Sequence, residues 1–179
     1  MRRARCPRVL RKYGFCGVLA LVYACGLKMP RSERAFDALL DNMQKIIGGR
    51  PKKRWLRNSS PAAQKLRGGI TESETARVLA HYSARCTYSL FQAKADGVTI
   101  NVNAWLKTVQ ANTNYIVHTG DHVVFVDVPR VRARWCLYDQ SGPKSRTDVP
   151  FMKRAGGLLL KKVHSVFTVA PADAEPVIA

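Results

Sequence analysis

Acidic residues are scarce in this chain, 12 Asp and Glu against 30 Lys and Arg, which leaves a formal net charge of +18 over 179 residues. The five cysteines, Cys6, Cys16, Cys25, Cys86 and Cys136, form neither a CxxC pair nor a Cys/His cluster at ligand spacing. That pattern argues against a structural zinc site and against a disulfide framework, and the odd count suits a reducing compartment. The sequence calls for neither a metal nor another cofactor. Outside residues 14–25 no apolar run approaches the length needed to span a bilayer, so a transmembrane segment is not favoured. The chain is long enough for one domain with a proper core and too short for two to be expected.

What is present in excess is positive charge, and it is unevenly placed. Arg2, Arg3, Arg5, Arg8, Arg11 and Lys12 form one block; Arg50, Lys52, Lys53, Arg54, Arg57, Lys65 and Arg67 form another; neither contains an acidic residue. The basicity therefore belongs to a tail, residues 1–12, and to a loop, residues 50–69, more than to the body between and after them. Nucleic-acid phosphates are one expected partner for such segments, and two solvated segments without a partner are the plainer reading. Trp55 inside the second block can stack on a base or pin the loop to the body.

The stretch YGFCGVLALVYACG, Tyr13 to Gly26, admits two readings. Behind the basic start it imitates a secretion signal, with Val22-Tyr23-Ala24-Cys25 resembling a lipoprotein cleavage site. It also reads as a buried helix headed by a cysteine. The next segment, SERAFDALLDNMQKIIGG, is an amphipathic helix capped by Ser32 and closed by Gly48-Gly49. It begins too soon after Cys25 to leave the polar tether that usually separates a lipid anchor from a folded domain. The lipoprotein reading is disfavoured on that ground.

Thr71 opens a further helix, TESETARVLAHYS, with Glu74 completing a capping box. Extended segments are expected at Cys86–Phe91 and Val98–Ile100, then a short helix capped by Asn103. Tyr115–His118, His122–Val128 and Val131–Tyr138 read as strands, the first two joined by a tight turn at Gly120-Asp121. KKVHSVFTV alternates as a half-buried strand, ahead of a polar tail at 171–179. Helices first and an antiparallel meander last make an α+β order, with one domain over residues 13–170.

If the turn after Val128 centres between Arg130 and Val131, Asp139 falls directly opposite His122. Cross-strand neighbours have Cβ atoms about 4.5–5.5 Å apart, close enough for a carboxylate to orient an imidazole. A register slip of one residue would turn it away. Cys16, in the first turn of an apolar helix, faces unsatisfied N–H groups and the positive end of the macrodipole. With a histidinium nearby, such a thiol has a pKa of roughly 3.5–7.5. Each residue also has a structural explanation: a buried cysteine, a satisfied edge histidine, an acid that begins a turn.

Cys16-Gly17-Val18-Leu19-Ala20-Leu21 at a helix start, the HVVFVD strand and the LYDQSG strand end resemble, in that chain order, the papain-like cysteine peptidases. The likeness is to the compact double-glycine leader-peptidase type and to similar small bacteriophage proteins. The resemblance implies a papain-like fold, N-terminal helices packed on a C-terminal antiparallel sheet, with Cys16 as nucleophile, His122 as general base and acid, and Asp139 as orienting residue. It implies a peptide or protein substrate, amide cleavage through an acyl-enzyme, and a place in a host cytoplasm or a virion. One departure stands out: the family's oxyanion-hole glutamine before the cysteine is missing from Val9-Leu10-Arg11-Lys12-Tyr13, leaving Lys12 or Arg11 as substitute donors. A degenerate relative that binds nucleic acid through Arg50, Lys52, Lys53, Arg54, Trp55 and Arg57 is the alternative.

Overall fold

The computed structural model describes residues 15–48, 69–82, 86–90, 100–120, 122–131, 135–139, 142–145 and 157–170. The tails at 1–12 and 171–179 and the basic loop up to residue 68 lie outside the described residues, and with them Arg11, Lys12, Arg50, Lys52, Lys53, Arg54, Trp55 and Arg57.

Helix α1, Cys16–Ala24, is apolar all round, and Gly17 to Tyr23 are all buried. A helix without a polar face has to be surrounded, and this one is the hub between two other helices and the sheet. The segment whose composition imitates a signal's apolar region is thus the molecule's central helix. Helix α2, Glu33–Ile47, buries Phe36, Leu40, Met43 and Ile47 along one stripe. Ser32 caps it by accepting from the Ala35 N–H at 3.2 Å. It ends on Gly48 at φ +71°, a conformation that a residue without Cβ adopts at little cost. In α3, Glu72–His81, the expected capping box is formed in full: the Thr71 hydroxyl accepts from the Glu74 N–H at 3.3 Å, and the Glu74 carboxylate from the Thr71 N–H at 2.9 Å.

Six antiparallel strands follow: β1 Cys86–Leu90, β2 Thr113–Thr119, β3 Val123–Val128, β4 Cys136–Asp139, β5 Gly142–Ser145 and β6 Val163–Val169, in the order β1-β6-β2-β3-β4-β5. The chain's last described strand is therefore central, between β1 and β2. One face carries Ile116, Val123, Phe125, Tyr138 and Phe167 against the three helices. The other carries Val117, Val124, Val126, Leu137 and Val166 against the short helix α4, Val102–Trp105, and the turn around Leu159. Both faces are covered, so β3 is buried at every position except half-buried Asp127, and the alternation expected of β6 holds only over its first residues.

Three expectations are corrected in detail. The short helix is capped by Asn101, whose side chain accepts from the Ala104 N–H at 2.8 Å, and not by Asn103. Of the segment Val98–Ile100, residues 98 and 99 lie outside the described residues, and Ile100 belongs to no named strand, although its carbonyl accepts from Val163 N–H at 2.9 Å and Asn101 bridges to Lys162. The fourth strand starts at Cys136, not Val131, because the chain after Val128 turns through Pro129, Arg130 and Val131 before pairing resumes.

Candidate active site

Cys16 is the first residue of α1. Phe15 precedes it without a side-chain cap, and the first intrahelical bond is Leu19 N–H to Phe15 C=O at 3.0 Å. The N–H groups of Cys16, Gly17 and Val18 thus have no partner inside the helix. Gly17 allows a close approach: a Cβ there would lie 3.3 Å from Ile70 Cβ, so the chain entering α3 rests directly against the turn that holds the cysteine.

His122 arrives from the sheet. Strands β2 and β3 pair with His118 opposite Val123, and Gly120 falls in the short connection between them, while Asp121 lies outside the described residues. The Thr119 N–H and hydroxyl both donate to the His122 carbonyl, at 2.8 and 3.0 Å. These two bonds fix the backbone of His122 one residue before β3 begins, where strict strand alternation no longer sets the direction of its side chain.

The two elements bring Cys16 and His122 together. Burial on its own would raise the thiol's pKa, and it is the largest single influence on this half-buried group. Against it act the hydrogen bond to the His122 ring, the charge of that ring, and the Val123 and Gly17 N–H groups, which donate to the sulfur. Their sum holds Cys16 below the ordinary thiol value of 9.0. An imidazole and two backbone donors beside a cysteine sulfur favour its ionised form, the form that nucleophilic chemistry requires.

Asp139 ends β4, but not where the sequence placed it. The ladder pairs Phe125 with Tyr138 and Asp127 with Cys136. One step further along that ladder Asp139 stands level with Val124, two positions from the expected pairing with His122. The slip is even, so by itself it does not exchange the two faces of the strand. The longer connection after Val128 causes it, since pairing resumes later than a tight turn would allow.

Other cysteines and histidines lie elsewhere. Cys25 is the C-cap of α1, at the end of the helix that disfavours a thiolate. His118 is buried on β2 and shares a hydrogen bond with the Thr75 hydroxyl at 3.2 Å. His164 is exposed on β6, with its ring 3.6 Å from where a Gly120 Cβ would be. Sequence reasoning missed Ile70, Thr75, Thr119 and the Val123 N–H, all of which act through tertiary contacts that no local motif announces. Among the described residues, no group of three or more His, Cys, Asp or Glu side chains is arranged to hold a metal ion, and no helix is long and apolar enough to cross a membrane.

The architecture is α+β: helices on an antiparallel sheet, with a cysteine at the start of the buried helix meeting a histidine one residue ahead of a central strand. No family model matches the chain, and no curated protein is similar to it in sequence. Among solved structures it is similar to the crystal structure of the Pseudomonas avirulence protein AvrPphB, at 10% identity and a TM-score of 0.46, over 95% of this chain and 97% of that one. Likeness at this level leaves the chemistry to this chain's own residues.

Proposed function

We propose that the chain is a thiol hydrolase, in first place a cysteine peptidase, with Cys16 as nucleophile and His122 as general base and acid. The observation that carries this reading is the meeting of Cys16, at the N-terminus of a buried helix, with the His122 ring, to which its sulfur is hydrogen-bonded. The thiolate attacks a carbonyl carbon, and the oxyanion that forms is met by the Cys16 backbone N–H. Protonated His122 then gives its proton to the departing amine, and the thioester is hydrolysed by water that His122 deprotonates. Asp139 is assigned to orient His122 from the end of β4. Lys12 or Arg11 is assigned as second oxyanion donor in place of the missing glutamine; an oxyanion donor is typically worth about 10²–10³ in rate.

The test is capture of the acyl-enzyme. Brief exposure to an activated acyl ester, followed by acid quench and peptide mapping, should show the acyl mass on Cys16. Cys16→Ala should abolish the adduct, and His122→Ala should slow its formation by about 10²-fold or more, within the usual range for loss of a general base. Acylation spread evenly over the cysteines would defeat the assignment.

A second reading is favoured by the charge. The thirteen Lys and Arg of the two basic blocks make up most of the excess. As phosphate-binding segments they would give the chain an affinity for nucleic acid that falls steeply between low and moderate salt. Binding of a random single strand that is unchanged by salt, or absent, removes this reading.

A further inference from the structure

Most of the helix-to-sheet interface is apolar, but at one end it is not. Among the described residues, the buried polar side chains are Thr75, Asn114, His118, Thr119 and Ser165, and all but Asn114 gather where β2 and β6 approach the turn that carries His122. Two bonds cross from the first turns of α3 to the strands: the Thr75 hydroxyl to His118 Nε2 at 3.2 Å, and the Ser165 hydroxyl donating to Glu72 Oε1 at 3.0 Å. His118 and Ser165 are themselves paired across the β2–β6 ladder, next to a bulge between His118 and Thr119 that leaves His164 as the extra residue. The His118 ring also packs against Phe167, with centroids 5.9 Å apart.

The same short segment of chain reaches the other half of the site. Ile70, just before α3, rests against Gly17, the residue after the nucleophile. The start of α3 therefore touches the cysteine-bearing helix through Ile70 and the histidine-bearing hairpin through His118 and Ser165. Apolar layers can repack with little loss of energy, whereas directional bonds between buried polar groups define one relative position. We infer that His118 is a positioning residue: through its bond to Thr75 it locks the β2–β3 hairpin to α3 and so holds His122 within hydrogen-bond reach of Cys16. This role rests on the Cys16–His122 pair described above. His118 touches neither the sulfur nor any reacting atom in this scheme. Burial holds its pKa below 6.5, with Glu72 acting in the opposite sense, so the ring is neutral at physiological pH and able to share a proton with the Thr75 hydroxyl.

The experiment compares the alkylation rate of Cys16 by iodoacetamide, resolved by peptide mapping, across pH in the parent chain, Thr75→Val, His118→Leu and His118→Gln. Near pH 6 the first two variants should react about tenfold more slowly, as the midpoint moves at least one unit toward the free-thiol value. His118→Gln, whose amide can still bond to Thr75, should stay within about threefold of the parent. Loss of packing alone would lower the denaturation midpoint without moving this profile. Folded variants that keep the parent's profile would overturn the inference. Should His118→Leu fail to fold, Thr75→Val decides, because it keeps the shape of the buried side chain. A parent that titrates as an ordinary thiol would instead remove the Cys16–His122 pair, and the positioning role with it.

Discussion

Burial and hydrogen bonding act in opposite directions on the Cys16 thiol. A half-buried sulfur in apolar surroundings resists ionisation, and the imidazole and two backbone N–H groups more than offset that resistance. Two of these contributions come from α1 and β3 backbone, so a change that displaces either element weakens the thiolate even if Cys16 and His122 are both retained. Gly17 is the most sensitive such point. Gly17→Ala would put a methyl 3.3 Å from Ile70 Cβ and 3.4 Å from its Cγ1, tighter than ordinary contact. Overpacking of this kind costs about 1–3 kcal/mol, set against a helix-propensity gain of at most about 1 kcal/mol. Urea denaturation should show a net loss; a stabilised variant would mean that Ile70 yields freely and does not hold the turn.

Elements whose signals are local were legible in the sequence, and those set by distant contacts were not. The caps at Ser32 and Thr71 could be read because donor and acceptor lie three residues apart. Thr71→Ala should accordingly cost about 0.5–2 kcal/mol, measurable as a lower urea midpoint with α3 still formed. The β2–β3 hairpin was legible for the same reason. The β3–β4 register was not, because it depends on where pairing resumes after Pro129, and Pro offers no N–H to mark the turn. The bond between Thr75 and His118 spans forty-three residues, and nothing in either neighbourhood of the sequence announces it. The placement of Cys16 at a helix start and of His122 just ahead of a strand was legible; the approach of the Val123 N–H to the Cys16 sulfur was not, because it depends on how the layers dock.

For the whole molecule, the layered arrangement puts Cys16 and His122 at the seam between the helices and the sheet. Stability and reactivity should therefore share a dependence on pH. The unfolded chain binds a proton at His118 near pH 6.5, whereas the folded chain does so only at lower pH. The stability contributed by keeping this ring neutral is complete above about pH 6.5 and is lost as pH falls toward the lowered folded value. Glu72, held below 4.5 by its own N–H, by Ser165 and by the two histidines despite the opposing effect of partial burial, adds a further loss at more acidic pH. Denaturation midpoints should fall between about pH 7 and pH 5 in the parent, and fall less in His118→Leu. Equal slopes would show that His118 does not titrate differently in the two states.

The most direct measurement is the rate of iodoacetamide alkylation at Cys16 from about pH 4 to about pH 9, in the parent and in His122→Ala. A thiolate–imidazole pair gives a parent rate that stays high well below the free-thiol range and a variant rate that rises only near about pH 8.5. Parent and variant profiles that coincide, both rising near that value, would contradict the pairing of Cys16 with His122.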